Sequence, residues 1–224
     1  MHAQVHQSAA RSLANLRVSA IDSLVLHSPP GKARRDLLAV WRGMEALVAA
    51  GVARQIGLSN LYDEDALRWL LARARVRPRV LQNRFHKSVD WCRGLRALCA
   101  AEGIQFQSFW TLTGNRNATR SDAVRAIAAA HGASPEALLL AWAARAEGML
   151  PLTGTRSDAH MRADLDAVAR VRLGAGETAR VAAAVWGEPP SVDSDAEEEE
   201  EEDGDDEGEE ALDVSDEWEE QAGA

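Results

Sequence analysis

Polar and aromatic side chains follow each of five short apolar segments of this chain of 224 residues: His27, Ser59-Asn60, Gln82-Asn83, Phe109-Trp110 and Thr153-Gly154-Thr155. An imidazole such as that of His27 polarises a carbonyl or transfers a proton near neutral pH. Hydroxyls and amides form hydrogen bonds to a ligand amide, and an aromatic side chain stacks on a planar ring. Together these residue types predict a ligand pocket built from several loops.

Each of these positions also has a purely structural interpretation. His27 can cap the end of a strand, and Ser59-Asn60 can form a turn before the next helix. Gln82 can be a satisfied buried amide, and Phe109 can belong to the core. The loop Thr153-Gly154-Thr155 either cradles a phosphate at a helix N-terminus or forms an ordinary capped turn. The residue types alone leave both interpretations open.

The elements that must position these residues alternate between strand and helix. Apolar runs predict strands over 21–26, 53–58, 80–82 and 149–152, and alternation of apolar and polar residues at period two predicts a strand over 104–109. Helices are predicted between them, and the first carries Leu37, Trp41, Met44 and Val48 on one face. Capping residues predict three helix starts, at Asp63, at Ser134-Pro135 and at Ser157, whose helix carries Met161, Leu165 and Val168. Further helices are predicted over about 91–101, 122–131 and 176–186.

Five alternating strands and helices predict βα units and a parallel sheet. Such a sheet is either open and doubly wound or part of a (β/α)₈ barrel. No G-x-G-x-x-G sequence follows the first strand, which disfavours the dinucleotide-binding form of the doubly wound fold. A complete barrel typically needs about 250 residues. The segment before the acidic tail therefore predicts an incomplete TIM-barrel-like domain of about five of eight βα units.

Charge divides the chain at residues 187 and 188. The segment 188–224 contains 20 of the 35 acidic residues and no Lys or Arg, so it carries −20, whereas 1–187 carries +10. We expect the acidic tail to be disordered, because like charges repel and little apolar area is available to bury. The tail either keeps the protein in solution or binds a basic protein partner. The excess of Arg in the body is interpreted as solvated helix surface, and nucleic-acid binding is not expected.

Composition argues against several classes of protein. No apolar run approaches the length of a membrane span, so no membrane partner is expected. The polar N-terminus predicts no secretory signal, and two cysteines are too few for a disulfide framework or for a metal site on their own. The expected compartment is the cytoplasm, and no metal is expected.

The order of the motifs resembles the aldo-keto reductase family over nearly all of 8–186. The similarity lies in Ser12-Leu13…Leu16…Ile21-Asp22…Leu26-His27-Ser28-Pro29, Trp41-Arg42-Gly43-Met44-Glu45…Gly51…Ile56-Gly57-Leu58-Ser59-Asn60, Gln82-Asn83, Gly103-Ile104…Ser108-Phe109-Trp110-Thr111-Leu112 and Ser134-Pro135…Leu140-Ala141-Trp142. The resemblance implies a (β/α)₈ barrel that transfers hydride between NADPH and a small aldehyde, ketone or alcohol.

The resemblance also implies residue roles. His27 is similar in position to the active-site His that orients and polarises the substrate carbonyl. Ser59, Asn60 and Gln82 stand where the family holds the nicotinamide carboxamide, and Phe109 stands at its ring-stacking position. The adenosine-phosphate loop corresponds to Thr153 through Asp164, with Thr153, Gly154, Thr155, Ser157, His160 and Asp164 as the expected binding residues.

Two departures from the family pattern bear on function. The family's catalytic Tyr, Asp and Lys precede the His, whereas here His27 lies near the start and the only tyrosine is Tyr62. In the phosphate loop, Leu152 and His160 stand where the family often has Lys and Arg. Arg156 or Arg162 can substitute for that charge. The resemblance implies NADP(H) as the cofactor, and the departure in the phosphate loop leaves NAD not excluded.

Three explanations for the incomplete pattern remain open: a truncated gene model or fragment, a degenerate homologue, or strands supplied by a second chain. In each case we expect open sheet edges and exposed apolar residues on the barrel-facing side. The expected function is an aldo-keto reductase-like NADP-dependent oxidoreductase, inactive or impaired as this chain. The alternative is a non-catalytic scaffold or interaction protein that acts through its acidic tail.

Overall fold

A computed structural model of the chain describes residues 2–31 and 33–187. The predicted disorder and partner binding of the segment 188–224 lie outside these residues. The described part contains five strands: β1 (Ile21–Leu26), β2 (Ala53–Ser59), β3 (Val80–Arg84), β4 (Gln105–Phe109) and β5 (Leu150–Pro151). Its helices are α1 (His2–Leu16), α2 (Arg34–Ala49), α3 (Glu64–Leu71), α4 (Arg93–Glu102), α5 (Arg116–Arg120), α6 (Asp122–Ala130), α7 (Pro135–Arg145), α8 (Asp158–Arg170) and α9 (Ala175–Trp186). Short 3₁₀ turns cover Lys87–Cys92 and Thr113–Asn115.

The strands form one parallel sheet in the order β1-β2-β3-β4-β5. Each strand therefore lies beside the next strand in the chain, with helical connections between them. A doubly wound sheet reverses its strand order at a switch point, and this sheet does not. The predicted succession of five βα units of a barrel is confirmed, and the doubly wound alternative is not.

Helix starts follow the predicted caps. The side chains of Asp63, Ser134 and Ser157 accept hydrogen bonds from the backbone N–H groups of Ala66, Ala137 and His160, respectively. Each bond satisfies one of the donors that a helix N-terminus leaves without a partner. The sequence patterns did not predict α5, nor α1, whose Ala9 is buried and whose Val5 packs against Gly43 of α2.

The core lies on the helix side of the sheet. Side chains alternate between the two faces of a strand, and Ile56, Leu58, Leu81 and Phe106 are all buried on one face. They pack with helical residues, including the fully buried Trp41, Trp142, Leu67, Leu138 and Ile127.

The opposite face of the sheet carries polar side chains on four strands, β1 to β4. Gln55 Nε2 donates to Ser23 Oγ at 3.1 Å, and Gln82 Nε2 donates to Gln107 Oε1 at 2.9 Å. Bulky branched side chains dominate the interior of a closed barrel, whereas here amides occupy it. The expected exposure of apolar residues on this face is found at β5, where the exposed fraction of Leu150 is 47%.

A buried carboxylate joins α2 to the segment after α3. Glu45 accepts hydrogen bonds from the amides of Arg75 and Val76 at 2.7 and 3.1 Å and from Arg42 Nη1 at 2.7 Å. Burial acts to raise the pKa of Glu45, but the hydrogen bonds from Arg42, Val76 and Arg75 outweigh it and lower that pKa. Trp41 Nε1 also donates to Val76 O at 3.0 Å. These bonds fix the position of the helix layer under β2 and β3.

Within residues 2–31 and 33–187, no helix combines the length and the apolar character that a membrane crossing requires.

Candidate functional site

The loops that follow β1, β2 and β3 meet at the carboxyl edge of the sheet. Asn60 N donates to Gln82 O at 3.1 Å, and Ser59 Oγ donates to the same carbonyl at 2.8 Å. Asn60 Nδ2 donates to His27 O at 2.9 Å. Parallel strands place their carboxyl ends at one edge, and hydrogen bonds hold the four predicted positions together there.

Asn60 is the central residue of this group. Its φ of 54° lies in the left-handed region, which Asn adopts more readily than most residues. Its Oδ1 accepts a hydrogen bond from the Tyr62 hydroxyl at 3.2 Å, and the Tyr62 hydroxyl accepts one from Arg84 N at 3.2 Å. One side-chain amide thus connects the ends of three strands. The sequence places Tyr62 directly after Ser59-Asn60, but it does not predict this contact.

Gln82 keeps an acceptor available at this edge. Its Nε2 is bonded to Gln107, while its Oε1 has no protein donor within the described residues. The side chain of Ser59 is buried beneath it. A ligand amide N–H is the group that such an oxygen accepts. The predicted trio of Ser59, Asn60 and Gln82 is therefore brought together, with one free acceptor.

His27 is exposed at the end of β1. It lines a groove of about 310 Å³ between α1 and β1, which Val5, Ala9 and Met44 also line. This groove is separate from the larger cleft at the other side of the sheet. The backbone carbonyl of His27, rather than its ring, is what joins it to Asn60.

A cleft of about 730 Å³ lies at the carboxyl ends of β4 and β5. This volume falls within the range of about 300–1,000 Å³ that is common for small-molecule sites. Six predicted binding residues line the cleft: Phe109, Thr153, Gly154, Thr155, His160 and Asp164. Trp110, Ser134 and Glu136 line it as well. The backbone continues the sheet into this cleft, since Leu152 N donates to Ser108 O at 2.8 Å.

The loop before α8 is shaped by its own hydroxyls. Thr155 Oγ1 accepts from Ser157 N at 3.2 Å, and Ser157 Oγ accepts from His160 N at 3.4 Å. No atom lies within 4 Å of the position that a Cβ would take at Gly154, so the backbone is open to a ligand there. Ser157 belongs to the cap and does not line the cleft. The N–H groups of the first turn of α8 point outward from a helix N-terminus, which favours polar ligand atoms that accept hydrogen bonds.

Acidic groups dominate the charge of this cleft. Burial raises the pKa of Asp164; Glu136 raises it further, and His160 opposes the shift. Glu136 was missed by the sequence patterns because it begins α7, well before the loop. Only the packing of α7 against α8 brings it here.

Phe109 and Trp110 join the two groups of residues. Phe109 pairs with Arg84, two residues beyond Gln82 on β3. The exposed ring of Trp110 is covered by the Arg84 guanidinium, with Cζ 4.2 Å from the ring centroid. Within the described ranges, no cluster of three His, Cys, Asp or Glu residues could hold a metal ion.

The chain matches the model of the aldo/keto reductase family over residues 2–185. It is 28% identical to an aldose reductase of Encephalitozoon cuniculi in an alignment of 177 positions that covers 70% of this chain and 58% of that protein. It is 31% identical to a D-galacturonate reductase of Fragaria ananassa in an alignment of 176 positions that covers 69% of this chain and 54% of that protein. The chain thus spans little more than half the length of these relatives.

Solved structures agree on the fold. An aldo-keto reductase from a deep-sea metagenome library of the Medee basin superposes with a TM-score of 0.74 at 19% identity. The superposition covers 88% of this chain and 71% of that structure. Because the family model extends from α1 to α9 and the parallel βα units follow the same fold, the chain belongs to the aldo/keto reductase family.

Proposed function

We propose that this chain binds a nicotinamide dinucleotide along the carboxyl edge of its sheet. Its chemistry would be that of an oxidoreductase that acts on small aldehydes, ketones or alcohols. The observation that carries the proposal is that the ends of β2 and β3 lie at the same edge of the sheet as an open cleft, which residues of β4, of the loop after β5 and of α8 line. Family membership supports the same chemistry.

Ser59, Asn60 and Gln82 would hold the nicotinamide carboxamide. The free Oε1 of Gln82 accepts the carboxamide N–H, and Asn60 holds the loop that presents it. Phe109 provides a ring face beside this position, and an aromatic face favours a stacked planar ring. The bound cofactor would supply the hydride.

The loop Thr153–Thr155 and the start of α8 would hold the adenosine half. The open backbone at Gly154 lets a ligand approach closely, and the Thr153 hydroxyl has no protein partner within the described part. The residues present fit a nicotinamide and an adenosine, since both ends offer an unpaired polar group beside an apolar or aromatic surface.

Carbonyl reduction by this chain is expected to be weak. A reduction needs a proton donor, and the only tyrosine, Tyr62, has its hydroxyl between Asn60 and Arg84. Burial raises the pKa of Tyr62, so its hydroxyl stays protonated and donates to Asn60. His27 borders a different groove from the cleft. We therefore propose dinucleotide binding without efficient turnover.

The binding test compares the chain with its Asn60→Gly variant by calorimetric titration. Glycine accepts the positive φ of this position at no steric cost, so the variant removes only the side-chain bonds. We expect the variant to bind a nicotinamide dinucleotide about tenfold more weakly, since each lost bond contributes about 0.5–1.5 kcal/mol. ADP-ribose, which lacks the nicotinamide, should keep its affinity.

Two results would contradict the proposal. The first is an absence of dinucleotide binding to the unaltered chain. The second is an equal loss of affinity for the dinucleotide and for ADP-ribose in Asn60→Gly. Turnover is tested separately with a panel of aldehydes and reduced cofactor, and rapid cofactor oxidation that disappears in His27→Ala would refute the inactivity.

A further inference from the structure

The charged residues that line the 730 Å³ cleft are Glu136, His160 and Asp164. No Lys or Arg lines the cleft within the described residues. Glu136 lies in the first turn of α7, and Asp164 lies two turns into α8. The side chains that meet a ligand here are thus two carboxylates and one imidazole.

The start of α8 adds a third acidic residue beside the loop. Asp158 occupies the first turn, where an acidic side chain offsets the positive end of the helix dipole. The same helix end that would otherwise attract an anion therefore already has a carboxylate. An incoming phosphate gains less from this terminus than it would from an uncharged one.

The two carboxylates of the cleft act on each other. Burial raises the pKa of Asp164, His160 opposes that shift, and Glu136 adds to it by repelling the ionised carboxylate. Any further negative charge placed between them meets the same repulsion. A phosphate monoester carries about −1.5 to −2 at pH 7, whereas a hydroxyl carries none and donates a hydrogen bond to a carboxylate.

We propose that the adenosine end of this cleft selects a ribose with a free 2′-hydroxyl, and so selects NAD(H) over NADP(H). Glu136 and Asp164 are the specificity-determining residues, because they accept from the hydroxyl and repel a 2′-phosphate. This selectivity rests on the proposed dinucleotide site, and it specifies which of the two cofactors that site binds.

Arg156 and Arg162 are the nearest cations in the sequence of the loop and of α8. Both are exposed and neither lines the cleft. They are the groups that would bind a 2′-phosphate if the acidic lining did not decide the choice. Arg156 therefore provides the matched control for the acidic residues.

The test uses calorimetric titration of the full chain with NAD⁺ and NADP⁺, and with 5′-AMP and 2′,5′-ADP, which differ only in the 2′-phosphate. We expect the ligands without the 2′-phosphate to bind at least about tenfold more tightly, as a close charge repulsion implies. In the double variant Glu136→Gln/Asp164→Asn, the ratio of NAD⁺ affinity to NADP⁺ affinity should fall about tenfold, because the 2′-phosphate loses the repulsion and the 2′-hydroxyl loses its ionised acceptors. Arg156→Gln should leave the ratio unaltered.

Different failures are distinguishable. If NADP⁺ binds the unaltered chain as tightly as NAD⁺, or if Arg156→Gln abolishes NADP⁺ binding, the selectivity inference is overturned and the dinucleotide site stands. If the double variant leaves the ratio unchanged, the assigned residues are wrong. If none of the four ligands binds, the proposed function falls together with the inference.

Discussion

Replacement of Gly57 by alanine adds one methyl group at a position where both the strand pairing and the candidate site should respond. Gly57 lies on β2 opposite Val80 of β3. A Cβ built at Gly57 would lie 2.7 Å from Val80 O and 2.8 Å from Val80 Cβ. One of these atoms belongs to the backbone, so no side-chain rotation relieves the contact, and the two strands must separate. The φ of Gly57 is not in the left-handed region, so strain comes from the contact alone.

We expect Gly57→Ala to destabilise the protein by about 1–3 kcal/mol, the usual cost of inserting a methyl group into a packed region. For a domain of this size, each kcal/mol lowers the melting temperature by about 2–4 °C. Ser59 and Gln82 lie two residues further along the same pair of strands. Strand separation should therefore also lengthen the contact from Ser59 Oγ to Gln82 O and weaken dinucleotide binding.

The measurement is thermal and urea unfolding followed by circular dichroism, with calorimetric titration as the second readout. Gly176→Ala in α9 is the matched control, because nothing lies within 4 Å of its Cβ position. That change should stabilise the protein by about 0.4–1 kcal/mol through the lower entropy of the unfolded chain. If Gly57→Ala unfolds with the same midpoint as the unaltered protein, the close approach of β2 to β3 is wrong.

Three further predictions concern stability, pH and thiol chemistry. Asp63→Ala removes the cap bond to Ala66 N and should cost about 1 kcal/mol in urea unfolding; no change would contradict that cap. Because the pKa of Glu45 is lowered by folding, its contribution is present above the unfolded value of about 4.3 and is lost as pH falls through the folded value. The stability gap between the protein and Glu45→Gln should therefore shrink below that pH, and a gap independent of pH would refute the assignment. Burial raises the pKa of Cys92 to about 11 and of Cys99 to about 12, so an alkylating reagent at neutral pH should modify both only after unfolding, and rapid labelling of the folded protein would show that they are accessible.

The sequence determined the strands and helix starts because these depend on local patterns. The apolar runs predicted the observed bounds of β1, and they predicted those of β2 to within one residue. Asp63, Ser134 and Ser157 each formed the cap that their residue types predict, since the bond spans only three residues. The order of the motifs also determined the family, which the comparison over residues 2–185 shows.

The periodicity of apolar residues predicted burial less well where the element that would cover them is distant in the sequence. The helix after Ser157 does form, but its Leu165 is 72% exposed. An apolar residue indicates a core position only if another element covers it, and no described element covers this one. On β4 the alternation over 104–109 does place Gln105 and Gln107 on one face, but only the pairing of β3 with β4 shows that Gln82 shares that face.

Only the tertiary structure decided how the site residues combine. Asn60 and Gln82 meet because parallel pairing aligns the ends of β2 and β3, and this brings together residues that the sequence predicts to bind a carboxamide. Glu136 reaches the cleft because α7 packs on α8, and His27 borders a separate groove because α1 covers that side of β1. These contacts depend on strand pairing and on the packing of helices that lie far apart in the sequence. Residue types and spacing give information only about residues that are close in the sequence.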